Sequence, residues 1–556
     1  MRHAILAEHI VIESRQRQHV ETIQSAGGMV TAMHPEAARA GAACLAEGGN
    51  AVDAFVAAAL AVGVAEPFMS GLGGHGSALV YAENGVRSVD FVTTAPAGAS
   101  TSGPVAVTGP RSIPVPTTAH GFAILHESFG RRGADAVAAR AVRMASEGVP
   151  LEGYSAGMIA RFAAMLGLDE GARGVFLDAD GRPPRPPMSA VMPGDVLAMP
   201  TYGSTLEQWI VAGRTMWREG PAAAALVRWM ERHGGYIRAA DLAAAPEPLI
   251  GDGSRIEFGP YVVHGAPGAS GFPFVAQVLG MWNELDAGDV DAGSIAYYHG
   301  LIELFRLAFA DRFRWLGDPA GGRSPIDSFF DVTRWRRRVR DWSPLRRLPD
   351  VAPAVLGSDH ESARAATTSD DGCTTHVNAI DGEGCAVSGT FTLGNPFGAG
   401  IVVPKTGTLL LNTLYQFDRT PGHPNELRPG MRPVWNGSPL VVTRGSRLVA
   451  VLGAPGARRI PTALVQVLLN MLRYGMNAQD AVDFPRLHVE NDVVEMDDRS
   501  GNDVLLGLRA LGHDVRIVRE GPSSANFARP TCIEVLDGGV LSCGVDSGRL
   551  ATAVGL

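Results

Sequence analysis

"CTTHVNAIDGEGCAVSGTFTL", residues 373–393, decides how this chain is to be read. Apolar and β-branched residues run on either side of "DGEG", the pattern of two antiparallel strands joined by a tight turn. With Gly382–Glu383–Gly384 as the loop, Asp381 lies opposite Cys385, and counting back sets Thr374 opposite Thr392 on the same face. A slip of one residue would break that match, and two facing threonines are often a plain cross-strand hydroxyl pair. A chemical alternative exists. A threonine hydroxyl is a weak nucleophile that needs a base. If the chain is cut before Thr374, the new α-amine supplies one, with a reference pKa of about 7.7–8.0. The pattern alone leaves both alternatives open.

Outward from this hairpin, short strands dominate the C-terminal part: "GTLLLN" (407–412), "SPLVVTRGSRLVAVLG" (438–453) and a closing hairpin "TCIEVLDGGVLSCGVD" (531–546), with helices over 462–474 and 503–511. On the N-terminal side, residues 34–67 spell two helices. Pro35 starts the first and Gly48–Gly49 stop it; Asn50 caps the second, with Asp53 in the capping-box position. "GLGGHGSALVYAENGVRSVDF" (71–91) reads as a glycine-rich loop and a hairpin, "SALVYA" and "VRSVDF" about the turn "ENG". Helical periods fill 118–170, 203–232 and 293–316, an exposed proline-rich loop spans 178–195, and 343–373 reads as a mobile connector. Helices, strands, helices and strands again predict an α+β fold of antiparallel sheets covered by helices, rather than a doubly wound sheet.

Composition narrows the function. The chain has 556 residues, 46% hydrophobic and 19% charged, with a net charge of −9. No basic stripe suits nucleic acid; the densest run, "RWRRRVRDW" (334–342), reads as a solvated helix face. The most apolar stretch, 51–65, is too short for a membrane span and contains Asp53. Five cysteines without a CxxC pair fit a reducing compartment. The N-terminus lacks the apolar centre of a signal peptide, so a cytoplasmic location is expected. No HExxH or Cys/His pairing suggests a metal, and no cofactor is expected. "GLGGHGS" lacks the Lys-Ser/Thr ending of a phosphate loop and reads as a place of close backbone approach. "GYSAG" (153–157) lacks the buried strand that a nucleophile elbow needs, so Ser155 reads as a helix N-cap.

Five long blocks carry a resemblance. These are 27–76, "VDFVTTAPAGA" (89–99), "YYHGLIELFRLAFADRFRWLGDP" (297–319), 374–412, and "GAPGARRIPTALVQVLLNML" (453–472). Together they resemble the γ-glutamyltransferase (glutathione hydrolase) family of N-terminal-nucleophile hydrolases, which includes cephalosporin acylases and oxamate-amidohydrolase-type enzymes. The resemblance implies a four-layer αββα sandwich made as a precursor. Autocleavage between Cys373 and Thr374 would give a large subunit, 1–373, and a small one, 374–556, that stay together; pairing of two such heterodimers is left open. It implies Thr374 as nucleophile and amine base, Thr392 as its hydrogen-bonding partner, and the backbone N–H groups of Gly456 and Ala457 as oxyanion donors.

At the substrate positions the chain departs from that pattern. Val92 stands where the family has the arginine that binds the glutamyl α-carboxylate. Trp435 and Asn436 replace a serine pair, Gln416 replaces the acid that binds the α-amine, and Gly394 replaces an asparagine. A carboxylate without its bidentate arginine is poorly paired in a partly buried pocket. An amide with an uncharged or aromatic acyl group is therefore expected. A true γ-glutamyl hydrolase, with Arg432 or Arg458 reaching the pocket instead, is the first alternative; a non-catalytic binding relative is the second.

Overall fold

The hairpin forms in the expected register. Strands Cys373–Asp381 and Ala386–Gly394 pair with Ile380 opposite Ala386 and Thr375 opposite Phe391. The computed structural model describes residues 22–101, 106–188, 192–285, 290–349, 351–354, 372–521, 524, 526–548 and 550–556. The N-terminal stretch read for an export signal, and residues 350 and 355–371 of the expected connector, lie outside these.

Every residue of the two hairpin strands is buried. A strand buried on both faces needs cover on both, which is why these strands lack a clean polar–apolar alternation. One cover is a second sheet. Among the described residues there are two seven-stranded sheets. The first runs, in order, Thr552–Gly555, Gly28–Ala32, Cys373–Asp381, Ala386–Gly394, His75–Ala82, Gly85–Phe91 and Leu249–Gly251. The second runs Gln24–Ser25, Leu541–Val545, Thr531–Val535, Arg447–Gly453, Leu440–Arg444, Tyr261–Gly265 and Ser254–Phe258. Segments from before and after residue 373 thus interleave in both sheets.

Helices supply the outer cover. Pro35–Ala46, Ala51–Ala65, Thr118–Phe129 and Ala134–Glu147 bury their apolar residues against Val80, Val89, Val377 and Phe391 of the first sheet. Phe272–Asn283, Ile295–Trp315 and Arg459–Leu472 pack on Val263, Val442 and Leu452 of the second. A smaller apolar layer, with Leu79, Ile380, Val451 and Ile533, fills the space between the sheets. The result is the four-layer αββα sandwich. No helix among the described residues is long and apolar enough to cross a membrane.

Local signals behave as chemistry dictates. Asn50 Oδ1 accepts from the N–H groups of Val52 and Asp53, and the Asp53 carboxylate accepts from Asn50 N–H, each at 3.0 Å, completing the capping box. Three expectations are corrected. The strand read as starting at Ser77 starts at His75, because Gly74 and Gly76 let the backbone press against Thr392 and Thr390 and pairing begins earlier. Ser155 is not an N-cap: Glu152 is, accepting from Ser155 N–H at 2.9 Å, so the helix Gly153–Leu166 begins sooner. The arginine run is not wholly a solvated face. Arg334 and Arg338 turn inward to Asp311 at 2.9 and 3.2 Å, since a buried carboxylate needs cationic partners.

The layer between the sheets carries one polar knot. His376 is fully buried; its Nδ1 meets Thr390 Oγ1 and its Nε2 meets Asn378 Oδ1, both at 2.8 Å. Asn378 Nδ2 donates across the sandwich to Thr531 Oγ1 at 3.2 Å. Burial pushes the His376 imidazole down to about 4, so the ring is neutral at working pH. The ring lies where a Cβ on Gly453 would fall, which reserves that position for glycine. A Gly453→Ala substitution is expected to cost about 1–3 kcal/mol and to lower the thermal unfolding midpoint; an unchanged midpoint would mean that the ring moves aside freely.

Candidate active site

The hairpin's regular pairing stops at its open end. Cys373 pairs with Gly394 but Thr375 with Phe391, so the register shifts across Thr374. Such a bulge re-aims a side chain and is common beside active sites. Thr374 stays buried. Its Oγ1 lies 3.4 Å from Thr392 Oγ1, long for an O–H···O bond. The Thr392 hydroxyl accepts from Gly394 N–H at 2.8 Å and donates a short hydrogen bond to the Cys373 carbonyl. It therefore polarises the carbonyl that precedes Thr374, and its nearest hydroxyl neighbour is Thr374 itself. Cys373 Sγ is held by the Phe68 carbonyl at 3.1 Å, in the helical layer.

Across the sandwich, strand Arg447–Gly453 ends against His376, two residues from Thr374, and leads into the turn Ala454–Arg458. Gly456 has φ +139°, and a Cβ there would lie 2.5 Å from Ala528 Cα. Ala457 takes φ +54°, so the turn forms with alanine in the left-handed region. Neither amide N–H donates to another described residue. Arg529 N–H holds the Pro455 carbonyl at 3.0 Å. The Arg529 guanidinium is itself fixed between Asp546 at 2.9 Å and Glu520 at 2.7 Å, with Arg486 on the far side of Asp546 at 2.5 Å.

Of the five residues aligned with substrate contacts, Val92, Gly394 and Trp435 are placed at this end by register and ring contact. Thr392 pairs with His75, and one step beyond the Gly76–Phe91 pair stands Val92, so Thr374, Thr392, His75 and Val92 form one row across the sheet. The Trp435 indole meets the His75 ring edge-on, 5.3 Å between centroids. Gly394 has φ +96°, and a side chain there would overlap Asn412 Oδ1, so the missing asparagine has no room to return. Gln416 ends the short turn Thr413–Gln416, and its Oε1 has no partner among the described residues. Asn436 accepts through Oδ1 from Arg312 at 2.8 Å, and Arg312 also donates to the carbonyls of Trp435 and Ser270. Arg312 thus fixes the turn that carries Trp435. Neither Arg312 nor His75 stands out in the sequence, because each acts through a register or a turn that only folding creates.

The two arginines that could restore a carboxylate site are engaged. Arg432 binds Asp90 at 2.6 Å; burial pushes Asp90 up to about 6 against the pull of Arg432, leaving the pair ionised at neutral pH. Arg458 binds Glu490 at 2.7 Å. His299, Glu303 and His513 are the group among the described residues whose ligand atoms converge as a metal site would need. They already satisfy one another and their surroundings: His299 Nδ1 meets His513 Nε2 at 2.7 Å, and Glu303 binds Arg306 at 3.0 Å.

An αββα sandwich with a threonine at the mouth of a central strand, a hydroxyl on the preceding carbonyl and a turn whose amides donate to no described residue is the arrangement of an N-terminal-nucleophile amide hydrolase. The family model described as gamma-glutamyltranspeptidase matches residues 37–554, and the chain belongs to that family. It is 30% identical over 511 residues to the Acylase ACY 1 proenzyme of Pseudomonas sp. (strain V22), covering 88% of this chain and 87% of that one. It is 28% identical over 556 residues to the glutathione hydrolase proenzyme of Bacillus subtilis (strain 168), covering 95% and 91%. The crystal structure of cephalosporin acylase from Bacillus halodurans superposes with a TM-score of 0.88 at 24% identity, covering 98% of each chain.

The Arg529–Asp546 pair yields a pH test. Burial alone would raise the Asp546 carboxyl, but Arg529 and Arg486 outweigh it and hold it well below the ordinary 3.8. A depressed carboxyl stabilises the fold above its unfolded value, and that stability is lost as pH falls through the folded one. Asp546→Asn is therefore expected to lower the unfolding midpoint at pH 7, and the gap to wild type should narrow as pH drops below 3.8. A gap independent of pH would contradict this role.

Proposed function

We propose that the chain is a self-processing acylase in which Thr374 is the nucleophile. In the uncut chain, Thr374 Oγ1 attacks the Cys373 carbonyl carbon; the C–N bond gives way to an ester, and water hydrolyses that ester to a Cys373 carboxylate and a free Thr374 amine. The observation that carries this is the Thr392 hydroxyl bonded to the Cys373 carbonyl, with Thr374 Oγ1 beside it in the bulge. The products would be the segments 1–373 and 374–556.

In the mature enzyme the Thr374 amine takes the proton from its own hydroxyl as the oxygen attacks the substrate amide. The Gly456 and Ala457 N–H groups, which donate to no described residue, receive the negative oxygen. Collapse expels the amine with that proton and leaves an ester on Thr374. Water, deprotonated by the same amine, releases the acid and restores the enzyme.

The acyl group is taken to be uncharged. Val92 and Trp435 supply no charge, and Arg432 and Arg458 are held by Asp90 and Glu490. A γ-glutamyl specificity is favoured by the gamma-glutamyltranspeptidase family model and by the relatives named glutathione hydrolase.

On a denaturing gel the purified protein should run as two bands, and Thr374→Ala as one band at the intact 58.4 kDa, without amidase activity. A wild-type chain that stays whole on incubation, or an active Thr374→Ala variant, would sink the nucleophile assignment. γ-Glutamyl-p-nitroanilide should be turned over at least about tenfold more slowly than a phenylacetyl analogue, as expected for a glutamyl carboxylate left unpaired; efficient γ-glutamyl turnover reverses the specificity.

A further inference from the structure

We propose that His75 reads the acyl group of the substrate, pairing with an uncharged group that both donates and accepts a hydrogen bond, such as a hydroxyl or a primary carboxamide. This rests on Thr374 as the nucleophile and adds the class of acyl group that the site takes.

Three observations converge on this residue. His75 opens the strand His75–Ala82, lies directly across from Thr392 and precedes Val92 in the same row, so its side chain stands beside the reacting end of the hairpin. It is fully buried, and neither ring nitrogen has a hydrogen-bond partner among the described residues. Its ring meets Trp435 edge-on at 5.3 Å, at a position aligned with substrate contact.

A buried donor or acceptor left unpaired destabilises a fold, and native structures nearly always pair such groups. His376, two residues beyond Thr374 on the same strand, shows the usual case, with both nitrogens bonded. His75 departs from it directly across from Thr392, at the open end of the hairpin. Ser77 Oγ, two residues along on the same face, also has no partner among the described residues. No Asp, Glu, Lys or Arg stands in the row Thr374, Thr392, His75 and Val92, so its side chains offer no fixed charge.

Burial pushes the His75 imidazole down to about 3, so the ring meets substrate uncharged. A neutral imidazole carries one N–H donor and one lone pair. A carboxylate can use only the donor and an ammonium only the lone pair, whereas a hydroxyl or carboxamide engages either or both. A site built to bond such a group disfavours the analogue that lacks it, because its own polar atoms then stay unpaired.

The test uses the self-processed enzyme and four p-nitroanilides: butyryl, 2-hydroxybutyryl, 3-hydroxybutyryl and succinamoyl. At least one polar compound should exceed butyryl in kcat/KM by about tenfold or more. In His75→Phe that ratio should collapse to about one, and in His75→Gln, which keeps a donor and an acceptor, it should survive in part. The Gln variant also serves if the Phe variant fails to fold. A cut, active wild type that treats all four alike, or a preference unchanged in His75→Phe, overturns the proposal alone. Turnover by Thr374→Ala overturns it together with the nucleophile on which it rests.

Discussion

One hydroxyl organises the catalytic end. Thr392 accepts from Gly394 N–H and donates to the Cys373 carbonyl, so its single proton and its lone pairs are committed in fixed directions. Everything nearby follows from keeping it there. Gly394 must turn left-handed to bring its N–H round, Gly74 must lack a side chain so that its strand can close on Thr392, and the register must shift to set Thr374 beside it. On the proposed mechanism, the polarised carbonyl and the adjacent hydroxyl would be electrophile and nucleophile, an arrangement whose value lies in orientation fixed before reaction.

Around this hydroxyl, charge is kept at a distance and dipoles do the work. The Gly456–Ala457 turn presents backbone N–H groups; the ionic network of Arg529, Asp546, Glu520 and Arg486 sits behind it and holds its carbonyl. Arg312 likewise fixes the Trp435 turn from behind, through carbonyls and an amide. Buried ion pairs are poor sources of net stability, but breaking one is costly, which makes them effective at fixing geometry. A low-dielectric site lined by fixed dipoles then responds strongly to the charge that develops on a carbonyl oxygen.

Much of this was legible in the sequence, and the parts that were not have a common cause. The capping box at Asn50–Asp53, the hairpin register and the paired helices of 34–67 are local, set by residues a few positions apart. The αββα layering came from family resemblance, as did the roles expected of Thr374, Thr392, Gly456 and Ala457, since periodicity left Thr374 undecided. What stayed hidden depends on contacts between distant segments. The start of a strand at His75 needs the backbone approach of Gly74 and Gly76 to a strand some 300 residues later. The inward turn of Arg334 and Arg338 needs Asp311, and a run of arginines carries no sign of which ones will find it.

The interleaving of the sheets has a consequence for the two halves that cleavage would make. The strand that Thr374 would head lies between Gly28–Ala32 and Ala386–Gly394, and the last strand, Thr552–Gly555, closes on Gly28–Ala32 from the other side. Neither half owns a complete sheet. Pulling them apart would expose edges and core in both layers at once, so their dissociation is the same event as unfolding. Dilution then has no purchase on the pair: the lifetime of the heterodimer is set by the unfolding rate of the whole sandwich, not by an affinity between two separately folded parts.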